Sequence, residues 1–410
     1  MTSARTTKGG VASARGFRVA GVAAAIKYKG RNDVALIVSD APCSAAAAFT
    51  TNKVAAAPVI YDRAALGGRG YARGIRAIVA NSGCANACTG ADGLKDAELT
   101  ALVTAGELGA KPGQILVAST GVIGRRLPMD RLLAGMKKAA QSLGSTREHG
   151  LAAAKAVMTT DTKPKEACAV CTIGGRKVTV GGMVKGSGMI EPNMATMLGF
   201  VTTDAAISPL QLRRALVLAI GKSFNRLVVD GDESTNDSVF VLASGAAGNA
   251  EITRGGKDFD IFLDALSVVC ISLARQMAAD GEGATKFVTV TVKGARSERD
   301  AERAARAVAK SPLAKTSWFG RDPNWGRVLA AAGYSGADVD DSKAEVFYDG
   351  VWAYRRGTIA DEKQLAKLAA VMKKDAFEVV VDLRLGRHEA SIYTCDFSTE
   401  YVHINADYTT

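Results

Sequence analysis

Lys185-Gly-Ser-Gly-Met-Ile-Glu-Pro-Asn-Met-Ala-Thr196-Met-Leu-Gly-Phe-Val-Thr-Thr-Asp204 stands near the middle of a 410-residue chain and decides how the rest is read. Gly186 and Gly188 allow backbone conformations closed to other residues, and Pro192 stiffens the approach to Asn193-Met-Ala195. Ala195 leaves room for the Thr196 hydroxyl to attack the carbonyl that precedes it. The chain is poor in bases: His149, His388 and His403 are its only histidines, each among polar or charged neighbours. Cutting the chain before Thr196 would supply the missing base. The freed α-amine, with a reference pKa of ~7.7–8.0, can take the hydroxyl proton. On spacing alone, a glycine-rich turn before a buried strand is the favoured reading of the stretch.

Working outward, the segments alternate between strand and helix patterns. Strands are predicted over 16–20, 34–39, 45–49, 75–80, 114–119, 167–173 and 177–182, with helices over 92–108, 128–142 and 149–157. Beyond the central stretch, Ser208-Pro209 opens a helix as cap and first-turn proline. In 257–279, Phe259, Phe262, Leu263, Leu266, Val269, Cys270, Leu273 and Met277 recur at helical spacing. That helix ends at Asp280-Gly281, so Glu282 and Gly283 fall on a tight connection to a strand at 287–292. Strands near 239–243, 345–355, 378–385 and 390–397 and helices near 298–309 and 361–374 complete a mixed α/β pattern.

Composition narrows the function classes. Hydrophobic residues make up 48% and charged residues 23%, as in a soluble globular enzyme, while aromatics are only 6%. Seven dispersed cysteines argue for a reducing compartment. The N-terminus lacks an apolar core of signal-peptide length, no apolar run is read as a membrane span, and a cytoplasmic location is expected. Residues 1–195 carry 26 Lys and Arg against 12 Asp and Glu, and residues 196–410 carry 26 against 29. A basic half beside a slightly acidic half suits two segments that stay together after a cut, and acidic small-molecule substrates. No basic helical stripe interleaved with aromatics is read, so no nucleic-acid partner is expected.

Three other constellations are weighed and set aside. Cys168-x-x-Cys171 and Cys84-x-x-x-Cys88 could offer thiolates, but buried small hydrophobes fit better, and no metal is expected. Asp230-Gly-Asp-Glu-Ser-Thr-Asn-Asp237 lacks the glycine and distant Glu of a calcium loop and reads as a polar loop bordering a site. Gly221-Lys-Ser223 lacks the upstream glycine of a phosphate loop.

Lys185-Gly-Ser-Gly-Met-Ile with Asn193-Met-Ala-Thr-Met-Leu198 and Thr203-Asp204 resembles the self-cleavage motif of the ornithine acetyltransferase family, the bifunctional glutamate N-acetyltransferases of arginine biosynthesis. The likeness extends along nearly the whole chain. It includes Phe49-Thr-Thr-Asn52, Asn81-Ser-Gly83, Ser119-Thr-Gly-Val-Ile-Gly124, Met158-Thr-Thr-Asp-Thr162, Asp280-Gly-Glu-Gly-Ala-Thr285, Asp322-Pro-Asn-Trp-Gly-Arg327 and Ile404-Asn-Ala-Asp-Tyr408. Cys84 departs from the pattern, where a second asparagine is expected after Gly83.

The resemblance implies an α/β (α+β) fold of mixed sheets layered with helices, in a self-cleaving N-terminal-nucleophile enzyme of the ornithine acetyltransferase and DmpA-like type. It implies an alpha segment, 1–195, that carries the oxyanion loop and ends at the cleavage site Ala195–Thr196. A beta segment, 196–410, carries the nucleophile and a substrate-binding tail, and the two form one folded unit. Thr196 is then the catalytic nucleophile, Thr120 and Gly121 the oxyanion donors, and Thr159, Lys185, Thr196, Glu282, Asn405 and Thr410 the substrate contacts. The implied reaction moves acetyl from N2-acetyl-L-ornithine to L-glutamate by ping-pong chemistry. Acetyl-CoA serves as an additional co-substrate, no cofactor is bound, and cleaved segments assemble as a heterotetramer or larger. Two alternatives use the same residues differently: a self-processing aminopeptidase or amidohydrolase with the same nucleophile, and a non-enzymatic basic binding protein.

Overall fold

The computed structural model describes residues 4–191 and 197–407. Nine strands, β1 (Arg5–Thr7), β2 (Phe17–Val22), β3 (Val34–Phe49), β4 (Tyr71–Asn81), β5 (Ile115–Ser119), β6 (Lys165–Ile173), β7 (Arg176–Lys185), β8 (Leu198–Thr203) and β9 (Ser238–Ala243), form one hydrogen-bonded sheet. Six more, β10 (Phe287–Ala295), β11 (Glu345–Tyr348), β12 (Val351–Arg355), β13 (Thr358–Ile359), β14 (Ala376–Asp382) and β15 (His388–Cys395), form a second. The helices are α1 (Ala57–Ala65), α2 (Gly90–Leu108), α3 (Met129–Gln141), α4 (Arg147–Ala156), α5 (Pro209–Gly221), α6 (Lys257–Ala279), α7 (Glu298–Lys310), α8 (Pro312–Phe319), α9 (Trp325–Gly333), α10 (Glu362–Met372) and α11 (Thr399–Asp407).

The large sheet runs β1-β6-β7-β8-β9-β3-β4-β5, with β2 also on β3. Period-2 alternation explains how it is covered on both sides. In β9, Val239 and Val241 join the core under α5 and α6, while Phe240 and Leu242 join a second core. That second core also takes Ile37, Ile78, Leu116 and Ala118 from β3, β4 and β5. Two halves of one sheet therefore face each other across a shared core, and the outer face of the β3–β5 half packs on α2 and α3. The layers run helix, sheet, sheet, helix. The turn between halves falls on β3, whose register shifts between Val38 and Cys43, a bulge the sequence pattern read as a break between two strands.

Helix α6 corrects one expectation. Its length and mean hydropathy of 1.6 suffice to span a bilayer, but its apolar face lies in the core against β6, β7 and α5. The stretch 345–355 also differs: it is a hairpin, because Asp349 (φ 46°) and Gly350 (φ 77°) place two left-handed residues where a two-residue turn requires them. The short helices α1, α8, α9 and α11 lack a long apolar period and went unpredicted. Cys168 and Cys171 are buried as expected, whereas Cys88 is exposed, on a left-handed loop residue (φ 57°).

Strands on either side of residues 192–196 are neighbours. β7 pairs with β8, Lys185 opposite Leu198, and β8 pairs in parallel with β9, Leu198 opposite Ser238. The second sheet lies wholly within 287–395, and α7, α8 and α9 pack on it around Trp318.

Candidate active site

The site begins where β4 and β5 end side by side, Asn81 opposite Ser119. The two loops that follow are laced together. Asn81 accepts from the Ser119 hydroxyl (2.7 Å) and from the Thr120 N–H through its backbone oxygen (3.0 Å), and its amide donates to the Cys84 carbonyl (3.0 Å). Gly121 sits at φ +130°, and a Cβ there would fall 2.4 Å from the Gly83 carbonyl carbon. Only glycine fits. With the Thr120 N–H already engaged, its hydroxyl and the Gly121 N–H are the groups that a developing oxyanion can use.

Cys84 proves compatible with the loop. Its backbone carries the contacts to Asn81, and its thiol, pushed up by burial, donates to the Arg125 carbonyl at 3.3 Å. The departure from the family pattern leaves the lacing intact.

Lys185 ends β7, is buried, and reaches the Thr120 hydroxyl oxygen with Nζ at 3.3 Å. An ammonium donating to that oxygen leaves the hydroxyl proton free to point elsewhere. Burial pushes the Lys185 pKa down, and the Asp161 charge opposes that shift. Asp161 in turn belongs to a buried ion network. Lys165 Nζ bridges Asp161 (2.6 Å) and Asp280 (2.5 Å), Thr162 donates to Asp280 through its N–H (3.1 Å) and its hydroxyl, and Asp161 also accepts from the Gly186 N–H (2.8 Å). Burial raises the Asp161 carboxyl, but Lys165, Lys185 and these bonds outweigh it and hold it at about 2. The network ties together three segments quoted from the sequence: 158–162, 185–188 and 280–285. Lys165 and Asp161 are four positions apart, but Asp280 stands 115 positions from Lys165 and no spacing in the sequence joins it to them.

Thr159 donates its N–H to Asp161 (3.0 Å) and lines a cleft with Tyr28, Arg31, Ser82 and Gly83, at the base of the Gly121 loop. Glu282, on the α6–β10 connection, donates its N–H to the Ser187 carbonyl (2.8 Å). Its carboxylate lies over Gly188, where a Cβ would approach to within 2.3 Å, and accepts from the Asn405 amide (2.9 Å). The tail thus reaches Glu282 through α11. Ala195, Thr196 and Thr410 lie outside the described residues.

The polar loop 230–237 is more than a border. Asp230 accepts from the Ile190 N–H (2.8 Å) and the Met189 N–H (2.5 Å). Asn236 donates to the Ser119 carbonyl (2.8 Å) and the Ala85 carbonyl (2.6 Å), spanning both laced loops. Asp237, fully buried, accepts from the Met197 N–H at 2.8 Å, and Phe49-Thr-Thr-Asn52 braces this loop through Thr50. The sequence signal was the density of Asx and Ser/Thr residues, whose side chains fold back on neighbouring backbone. By contrast, Asp322-Pro-Asn-Trp-Gly-Arg327 sits in the second layer: Asn324 caps α9 and Trp325 stacks on Tyr354 at 4.4 Å.

Glycine loops with preorganised donors, a desolvated lysine and a carboxylate lying over Gly188 suit an enzyme of acyl-transfer type. Comparisons with known proteins agree. The ArgJ family model matches residues 18–410. The chain is 51% identical over 396 residues to the arginine biosynthesis bifunctional protein ArgJ of Geobacter sulfurreducens, covering 97% of this chain and 99% of that one. It is 45% identical over 416 residues to the glutamate N-acetyltransferase of Methanocaldococcus jannaschii, covering 99% and 100%. A crystal structure of the arginine biosynthesis bifunctional protein argJ from Bacillus halodurans matches with 39% identity and a TM-score of 0.50, covering 52% of this chain and 99% of that one. The chain belongs to the ArgJ family, and it is an acyltransferase of the glutamate N-acetyltransferase kind.

Proposed function

We propose that this chain cleaves itself between Ala195 and Thr196 and then transfers acetyl from N2-acetyl-L-ornithine to L-glutamate through an ester on Thr196. The observation that carries the reading is the meeting of Lys185, Thr120 and Gly121 at the ends of β5 and β7, beside β8, which starts at Leu198. The Thr196 hydroxyl attacks the acetyl carbonyl while its α-amine takes the proton. The Thr120 hydroxyl and Gly121 N–H hold the oxyanion, ornithine leaves with the proton, and the glutamate amine then attacks the ester. Lys185 answers the α-carboxylate common to both amino acids, with Thr159 beside it. Glu282, steadied by Asn405, answers an ammonium group, and Thr410 is a further substrate contact. Acetyl-CoA acts as an alternative donor to the same threonine, and no step needs a bound cofactor. Cleaved segments pair and assemble as a heterotetramer or larger, in the cytoplasm.

The solved Bacillus chain supports the processing step, since just over half of this chain covers nearly all of it, the share that the 196–410 segment would take. Denaturing electrophoresis with N-terminal sequencing, coupled to an acetyl-transfer assay, tests the reading. Two bands with a new N-terminus at Thr196, both lost in Thr196→Ala, are expected, together with transfer to glutamate faster than hydrolysis. A wild-type chain that stays whole while active refutes the nucleophile, and hydrolysis without transfer refutes the acceptor.

A further inference from the structure

The buried carboxyl group of Asp237 has no part in the acetyl transfer set out above, yet its position is specific. It is the last residue of the 230–237 loop, immediately before β9, and none of its surface is exposed. One oxygen, Oδ1, accepts from the Met197 N–H at 2.8 Å. The other, Oδ2, is buried without a hydrogen-bond partner among the described residues. A buried carboxylate oxygen left unpartnered is costly, and a group kept so at a fixed place asks for a reason. The backbone on both sides is pinned: Thr50 N–H donates to the Asp237 carbonyl (2.9 Å), and Ser238 N–H donates to the Met197 carbonyl (3.0 Å). The carboxyl therefore cannot drift from the start of β8.

Met197 is the second residue after the bond to be cut, with Thr196 between them. Its nitrogen and the nitrogen of residue 196 are joined by three bonds whose lengths total about 4.3 Å, so covalent geometry alone keeps the two atoms within roughly that distance. We propose, resting on the cleavage reading above, that Asp237 is the general acid of self-cleavage, delivering a proton to the nitrogen of residue 196. The Thr196 hydroxyl oxygen bonds to the Ala195 carbonyl carbon, and the bond from that carbon to the Thr196 nitrogen breaks. The Asp237 carboxyl gives its proton to the departing nitrogen and regains the one the hydroxyl releases. No net proton is lost; water then splits the ester, leaving an acid on Ala195 and the hydroxyl on Thr196.

The surroundings favour the neutral acid that this role needs. Burial pushes the Asp237 carboxyl well above the usual range, and the Glu233 charge adds to that. Lys185 from β7, the Met197 N–H and the Ser234 hydroxyl pull the other way and are outweighed. In the neutral form one oxygen accepts from Met197 and the other carries the proton to give.

The test follows precursor made by cell-free synthesis, on denaturing gels, for wild type, Asp237→Asn and Thr196→Ala. Asparagine keeps the shape and the oxygen facing Met197 but carries no transferable proton. Folding is checked by circular dichroism and size exclusion. The expected result is folded Asp237→Asn that cleaves about 10²-fold more slowly than wild type, within the range of general-acid contributions. The wild-type rate should fall as pH rises through the carboxyl's titration, a profile that a purely structural residue would not impose. Folded Asp237→Asn cleaving at the wild-type rate overturns the acid and leaves the cleavage reading standing. A wild-type rate flat or rising with pH overturns it even where the variant fails to fold. Wild type that stays whole overturns both.

Discussion

Thr120 and Lys185 show how a single contact sets the chemistry of a residue. A threonine hydroxyl whose oxygen accepts from an ammonium, as Thr120 does from Lys185 Nζ at 3.3 Å, keeps its own proton free to donate to another acceptor. Removing the donor in Thr120→Ala should lower kcat by about 10²–10³-fold, or ~2.7–4 kcal/mol, with little change in KM; steady-state acetyl-transfer kinetics on cleaved enzyme read this directly. Lys165 is the opposite case, a charge whose loss is structural. Replacing it by Met would leave Asp161 and Asp280 as buried carboxylates facing each other without their cation, and should cost about 3–5 kcal/mol in urea unfolding. Asp161 also carries a pH signature. Its folded pKa of about 2 lies below the unfolded value of ~3.9. Its stabilisation is thus complete above the unfolded value and lost as pH falls through the folded one. An acid titration followed by circular dichroism should show a shallower loss between about pH 4 and 2 in Asp161→Asn than in wild type.

At the scale of elements, β8 and β9 were legible as strands from their apolar runs, and α6 from its periodicity. The short helix α11 was not, since its nine residues show no apolar stripe and none is buried. Its place is fixed from outside, by Asn405 on Glu282, the Phe397–Tyr401 stack at 4.8 Å and the Ser398 hydroxyl on the Gly283 carbonyl. Asn405→Ala removes a hydrogen bond to a charged partner, typically worth ~1.5–3 kcal/mol. The expected outcome is a rise of about tenfold or more in KM for the amino-acid substrates with folding intact, measured by initial rates and thermal unfolding. An unchanged KM would mean that α11 merely covers the site. The bulged β3 belongs to the same lesson: its two apolar runs predict strand on either side of a break, but which half of the sheet each end joins depends on partners far away in sequence.

For the whole molecule, the two segments on either side of residues 192–196 are woven through one sheet, β7 against β8 and β3 against β9, and share the core under α5 and α6. Cleavage should therefore leave the particle unchanged. Size exclusion should give one species for cleaved wild type and uncleaved Thr196→Ala alike, and the segments should part only in a single cooperative unfolding transition; two transitions would show that each segment folds by itself. What the sequence by itself determined is whatever local chemistry dictates: the strand and helix periods, the cap and first-turn proline of α5, and the ordered motifs that mark the ArgJ family. Only the tertiary structure decided that the large sheet doubles over on β3, that Lys165 neutralises carboxylates from two distant motifs, and that Asp237 meets the backbone of Met197. Apart from Lys165 with Asp161, four positions away, those facts are contacts between residues from tens to more than a hundred positions apart. A contact of that kind leaves no period or spacing along the chain, because burial and charge pairing are settled only when the layers close.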